Sequence, residues 1–317
     1  MVREGFEGSV GTLIDEQEQA QSARAGGMAN QLIHHPSGDL VIKNVTVFDS
    51  VNANKVPGQR VTVRDERIVS VEAESGQPSS AGAQVIDGTG KMLLPGLWDM
   101  QIKIYSSVKP ELVPVIIDEA HKLGLRVSGH VPSGMIAEQF VRDGADEIQH
   151  MNFVFLNFMP DVTETRTPAR FTEPGKRAAG IDLNSPQVNQ FIALLKEHHT
   201  VIDPTIAIWE NTYTDRPGVV RKIDAYMFDR LPLQIQRNSK RAGLALPIPN
   251  AATDQLYRAS YANFVRMVKK LYDNGITIVA GTDLGSGYAL HRELEIYNQA
   301  GIPAPQVLRM STLTPHR

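Results

Sequence analysis

The chain has no cysteine among its 317 residues, which removes disulfides, thiolate metal ligands, iron–sulfur clusters and a cysteine nucleophile at once. It lacks a dominant charge sign: 32 Lys and Arg against 35 Asp and Glu leave a net charge of -3. That is no basis for the basic field that non-specific nucleic-acid binding needs, so no nucleic-acid partner is expected. No apolar run approaches the ~18 residues of a spanning helix, and no membrane association is expected. Two loop signatures are also missing. Gly88-Thr-Gly90 lacks the third glycine and following helix of a dinucleotide fingerprint, and no Gly-x-Ser-x-Gly nucleophile elbow occurs. With 25 glycines and 19 prolines spread along the chain, collagen-like and low-complexity classes are excluded as well.

What is present divides into three stretches. Residues 1–38 read as a polar leader. Its acidic Glu4, Glu7, Asp15, Glu16 and Glu18 and its want of an apolar core argue against a signal peptide, which makes the cytoplasm the default location. Residues 39–95 hold short β-type runs (Leu40–Val47, Arg60–Asp65, Arg67–Ala73, Gln84–Asp87 and Met92–Leu94) and predict a small β-subdomain. From residue 96 to 317 strand and helix patterns alternate. Strands are predicted at Gln101–Tyr105, Leu125–Val131, Asp146–Phe153, Val201–Ile208 and Ile276–Ala280. Helices are predicted from Pro110, with Leu112, Ile116, Ala120 and Leu123 as its face, and over Met135–Asp143, Gln187–His198, Asp254–Asp273, His291–Gln299 and Pro305–Leu313. Such alternation with apolar strands means a parallel sheet flanked by helices, either doubly wound or a (β/α) barrel. Residues 154–184 and 209–253 are too long for ordinary connections, and a lid or substrate-binding role is expected of them beside the plainer one of surface decoration.

Each predicted strand of this alternating region carries an ionisable group near its C-terminal end: Lys103, His130, His150, Asp203 and Asp283. In a parallel sheet those ends share one side, and burying such groups unpaired would cost several kcal/mol each. A metal ion is an economical partner for two imidazoles and oxygen donors. Lys103 suits such a site only if carbamylated; otherwise it pairs with Asp283 or Asp203. Elsewhere, His198-His199 reads as a helix-end pair, and His34-His35 as exposed and inert. Arg237, Lys240 and Arg241 read as a solvated helix face or a hold on a substrate carboxylate, and Trp209 and Tyr213 as aromatic packing before ligand contact.

Pro95-Gly-Leu-Trp-Asp-Met100, the Lys103 strand, Ser128-Gly-His130, Glu147-Ile-Gln-His150 and Gly281-Thr-Asp283 together resemble the amidohydrolase superfamily, in particular its imidazolonepropionase-like and Xaa-Pro dipeptidase-like branch, over roughly residues 38–315. The resemblance implies a TIM-type (β/α)8 barrel preceded by a β-sandwich. It implies hydrolysis of an amide-type C–N bond in a small-molecule or dipeptide-like substrate, with one or two zinc or other divalent transition-metal ions. It makes Lys103, His130, His150 and Asp283 the metal ligands, Lys103 carbamylated, and Asp283 the catalytic proton-transfer residue. Tyr105 and His291 would lie near the substrate.

This sequence departs from the pattern where relatives carry His-x-His: Met100 is followed by Gln101-Ile-Lys103. About three β/α units are expected to be missing, giving an incomplete barrel, and the chain ends at Arg317 without the strands that complete the sandwich in relatives. An exposed parallel edge would invite a partner chain, as in a homo-oligomer. A metal-dependent hydrolase is therefore weighed against a catalytically impaired relative that binds a ligand or partner without turnover.

Overall fold

The computed structural model describes residues 39–49, 51–64, 67–94, 101–242, 245–284 and 287–312. The expected leader, including His34-His35, and the Pro95–Met100 motif lie outside the described residues. Contacts divide the chain into two compact units, one within Met1–Val47 and Lys55–Leu93, the other within Phe48–Asn54 and Leu94–Arg317.

The first unit is one mixed sheet. Strands β1 (Leu40–Asp49), β2 (Asn54–Arg64), β3 (Arg67–Ala73) and β4 (Gln84–Asp87) lie in the order β3-β2-β1-β4, and β5 (Met92–Leu93) also pairs with β1. Both β4 and β5 run parallel to β1, at residues 40–43 and 46–47 of that strand. Between them Gly88 passes so close to β1 that an added Cβ would stand 2.6 Å from the Val45 Cβ, so this corner accepts only glycine. Val41, Val45 and Val61 are buried, while Ile68, Val71 and Val85 are exposed. The five strands form a single sheet, whereas a sandwich needs two facing ones.

The second unit is parallel. Strands β6 (Gln101–Ile104), β7 (Arg126–Gly129), β8 (Glu147–Gln149) and β9 (Val201–Asp203) sit side by side in sequence order, every pair parallel. Ile278 continues the series by a single parallel bridge to Ile202. The predicted Ile276–Ala280 strand is thus reduced to one bridge, and among the described residues the sheet is open. Ile104, Val127, Ile148 and Ile202 are buried within one apolar cluster, as expected of parallel strands covered on both faces.

Helices fill the connections: α1 (Val113–Lys122), α2 (Ala137–Arg142), α3 (Met151–Leu156), α4 (Ala169–Arg177), α5 (Pro186–Glu197), α6 (Ile206–Thr214), α7 (Lys222–Ala225), α8 (Leu233–Ser239), α9 (Ala251–Asp273), α10 (Gly287–Gln299) and α11 (Ala304–Thr312). Residue chemistry marks their starts. The Ser185 hydroxyl accepts from Val188 N ahead of Pro186 in α5, and the Asn250 side chain accepts from Thr253 N at the head of α9. On α1 the predicted Ala120 is buried and Ile116 packs partly buried against the core, but Val113 and Ile117 complete the buried face while Leu112 and Leu123 are exposed. No described helix is long and apolar enough to cross a membrane.

Two predicted strands are cut short, and the cut builds the site. The run Asp146–Phe153 stops as a strand at Gln149, and Val201–Ile208 stops at Asp203. His150 (φ 71°) and Thr205 (φ 47°) then take left-handed backbone conformations and each turns directly into a helix. The apolar run Met151–Leu156 mimics a strand because α3 is buried on every side and shows no polar face. The two long segments also carry helices, α4 in the first and the end of α6 with α7 and α8 in the second.

Candidate active site

The C-terminal ends of β6, β7, β8 and β9 converge on a cavity of about 260 Å³. His130 directly follows β7. Its backbone N–H donates to the Ile104 carbonyl at 3.0 Å, tying the end of β7 to β6. Gly129 makes this approach possible: with φ 143°, an added Cβ would stand 2.0 Å from that same carbonyl oxygen. His150 follows β8, and its N–H donates to the Asp203 carbonyl at 2.7 Å. The two imidazoles therefore meet, with Nε2 atoms 2.8 Å apart.

Each ring is held from behind by a hydroxyl. Ser106 Oγ lies 3.1 Å from His130 Nδ1, and Thr205 Oγ1 lies 2.8 Å from His150 Nδ1. Tyr105 stacks on His130 with centroids 4.1 Å apart, and Phe153 packs against both imidazoles. Burial, reinforced by the positive charges of Lys103 and Arg170, pushes the His130 imidazole down to about 3. Burial also holds His150 well below the usual histidine range, with His130, Lys103 and Arg170 adding to the effect. Both rings are neutral at neutral pH. One Nε2–H then donates to the other Nε2, and the hydroxyls serve as donor or acceptor as each ring's tautomer requires.

Asp283, at φ 50°, presents a half-exposed carboxylate whose Oδ2 lies 3.8 Å from His150 Nε2. Asp203 differs sharply. It is sealed under the strand ends, where burial and the neighbouring Glu147 and Glu293 hold its carboxyl well above the usual range. Its Oδ1 accepts from Gly281 N at 2.8 Å, and a Cβ at Gly281 would stand 2.0 Å from its Oδ2, which accounts for the glycine in Gly281-Thr-Asp283.

The structure therefore brings His130, His150 and Asp283 to one cavity, with Tyr105 on its wall. Lys103 lies in β6, in register with Ser128, exposed and near enough for its charge to act on both imidazoles. His291 is exposed on α10 and does not line the cavity. The Arg237, Lys240 and Arg241 stretch is also away from the cavity wall, with Lys240 set over the Phe228 ring at 5.0 Å. Trp209 lines the cavity, whereas Tyr213 is buried in packing and donates to the Phe171 carbonyl. Arg170, Asn152 and Phe171 line it too, and no local pattern in the sequence marks them.

The donor chemistry fits an ion held by imidazoles. The two Nε2 atoms face each other at 2.8 Å, and with both neutral rings in the Nδ1–H tautomer Ser106 and Thr205 would accept the Nδ1 protons and leave both Nε2 lone pairs to an ion. A closed cluster is not formed: among the described residues no three His, Asp or Glu side chains come close enough to hold a metal.

No family model matches the chain. A stretch of 74 residues is 36% identical to adenine deaminase of Gluconobacter oxydans (strain 621H), covering 23% of this chain and 12% of that protein. The match thus spans a small part of either chain. Solved structures give broader likenesses. Bottromycin amidohydrolase matches 86% of this chain and 76% of its own at 15% identity and a TM-score of 0.54. A prolidase complexed with N-methylphosphonate-L-proline matches 87% and 86% at 12% identity and a TM-score of 0.52. A. niger ochratoxinase matches 88% and 84% at 10% identity and a TM-score of 0.53. At these identities the likeness is one of fold.

Proposed function

We propose, from the amidohydrolase fold this chain shares, that it hydrolyses an amide-type C–N bond of a small molecule in the cavity at the ends of β6 to β9. The observation that carries this reading is the meeting of the two imidazoles, Nε2 atoms 2.8 Å apart, with the Asp283 carboxylate beside them.

His130 and His150 would hold a divalent transition metal such as zinc, with Lys103, once carbamylated, and Asp283 as the oxygen donors. When bound, such an ion supplies an acidified water, with a pKa near 7 in favourable sites. The chain's residues do the rest. Ser106 and Thr205 accept the Nδ1 protons and fix both rings. Tyr105 and Phe153 shield the imidazoles from bulk water. Asp283 takes a proton from the attacking water and delivers it to the departing nitrogen. In the balanced step the water oxygen joins the carbonyl carbon, the C–N bond breaks, and a carboxylate and an amine leave.

Replacing Asp283 by Asn tests the role. In protein loaded with zinc, manganese or cobalt and assayed on N-acyl amino acids and dipeptides, kcat is expected to fall at least ~100-fold. Hydrolysis at the parent rate would refute the assignment. A second reading, ligand binding without turnover, is favoured by one feature: Gln101-Ile-Lys103 stands where relatives have His-x-His, so among the described residues the cavity wall has one pair of imidazoles, His130 and His150. No hydrolysis by the metal-loaded parent chain on any of these substrates is its expected outcome.

A further inference from the structure

The excursion between α6 and α9 carries a charge that the cavity does not use. Its residues 216–241 hold seven Lys and Arg against two Asp, in a chain whose net charge is -3. Three of those cations are paired: Arg216 with Asp254, Arg221 with Asp224 and Lys222 with Glu210. Arg230, Arg237, Lys240 and Arg241 are exposed, and among the described residues no carboxylate pairs with them. The same excursion leaves apolar side chains in water. Tyr226 is 89% exposed, more than any other large apolar residue described, Leu233 is 72% exposed and Val219 60%.

This exposure is held in place from the inner side. The Ser239 hydroxyl donates to Asp224 Oδ2 at 2.5 Å, and Gln236 Nε2 donates to the Leu231 carbonyl at 2.8 Å. Gly218 N donates to the Lys240 carbonyl at 2.8 Å and closes the excursion on itself. With Ser239 buried, Leu233 and Arg237, one turn apart on α8, face outward together. Lys240 follows at the helix end, over the Phe228 ring.

We propose that residues 219–241 adsorb to an anionic lipid bilayer, with Val219, Tyr226 and Leu233 entering the headgroup boundary and the four unpaired cations meeting the lipid headgroups. The inference stands apart from the hydrolase reading. A bilayer supplies negative charge and apolar depth side by side, which is what this surface lacks. A second copy in a two-fold contact would set the same cations against themselves. Single-stranded nucleic acid would use several stacking rings, and of this surface only Tyr226 is a ring exposed to that degree. The expectation of no membrane association follows from the lack of a spanning run, which adsorption does not need.

Co-sedimentation of the full chain with vesicles tests it. At about 50 mM salt, partition onto phosphatidylcholine vesicles carrying about 30% phosphatidylserine is expected to exceed that onto phosphatidylcholine alone at least ~10-fold, and most of the excess should vanish at about 500 mM salt. Leu233→Ser and Tyr226→Ser should each weaken the partition by ~10-fold. The combined variant Arg237→Gln, Lys240→Gln, Arg241→Gln should remove the preference for the anionic vesicles. Leu123→Ser, at an equally exposed leucine just past α1, should change nothing. Thermal melting checks that each variant folds. Equal partition onto both vesicles, partition onto neither, or the same loss from Leu123→Ser as from Leu233→Ser would overturn the proposal. Release by inorganic phosphate at the lipid's own concentration would assign the cations to a soluble anion instead. Self-association abolished by Leu233→Ser, without vesicle binding, would assign the surface to a second copy. Either result overturns it.

Discussion

At the scale of single residues, the site is an exercise in holding imidazoles still. Ser106 and Thr205 lie 24 and 55 positions from the histidines they support, so no local pattern announces them. Thr205 is the cleaner one to test, because its Oγ1 is not shared with a guanidinium as Ser106 Oγ is, and among the described residues His150 Nδ1 has no other hydrogen-bond partner. Thr205→Val keeps the branched shape and removes the oxygen. The expected result is a 10–100-fold loss of zinc affinity, read by chelator competition, with the melting temperature little changed. The histidines and Asp283 were visible in the sequence because each ends a β-type run. Arg170 was not, because an arginine in a polar stretch after a strand looks the same whether it faces solvent or a cavity.

At the scale of elements, one carboxylate governs the entry to α6. Glu293 on α10 accepts from Ile206 N at 2.7 Å and Ala207 N at 2.6 Å, satisfying two of the amides that every helix start leaves open. Those residues directly follow Thr205, and α6 carries Trp209 into the cavity wall. Burial raises the Glu293 carboxyl to about 7, against the lowering effect of the two amides. A raised carboxyl binds its proton in the folded state between roughly pH 4.5 and 7, where the unfolded chain has released it. Its contribution to stability therefore falls as pH rises through that window and levels off above it. Urea midpoints of the parent should decline from pH 5 to 7.5 relative to those of Glu293→Gln, by up to about 3 kcal/mol. Parallel curves for the two proteins would exclude Glu293 as the source. His291 on α10 carries the expected functional type but is exposed; its buried neighbour two positions on, Glu293, is the one that reaches the site's framework. Strand ends at 149 and 203 are hard to read for a related reason: the largely buried helices that follow them present no exposed polar stripe whose period would separate helix from strand.

At the scale of the molecule, α6 and α10, about 80 residues apart in sequence, are joined by charge as well as by packing. Glu210 is buried and accepts two bonds from Arg292, from Nε at 2.7 Å and from Nη2 at 2.8 Å, and a third from Lys222 at 2.8 Å. Removing one partner of such a pair strands a buried charge. Arg292→Ala should cost about 3–5 kcal/mol in chemical denaturation, well beyond the loss from Lys222→Ala, whose ammonium is largely exposed. Losses of equal size in the two variants would contradict this ordering. The parallel, helix-flanked architecture was legible from alternating patterns. Whether the parallel sheet closes, and whether the first sheet faces a second, were not, because those depend on strands pairing across long sequence distances rather than on any run of residues.

The left-handed corner at Thr205 carries one more implication. A threonine tolerates φ 47° poorly, and glycine would relax the backbone there. Glycine would also delete the oxygen that steadies His150. Position 205 is thus a compromise in which the chain accepts an awkward bend to keep a hydroxyl, and natural drift toward the easier residue would be a sign that the imidazole no longer mattered.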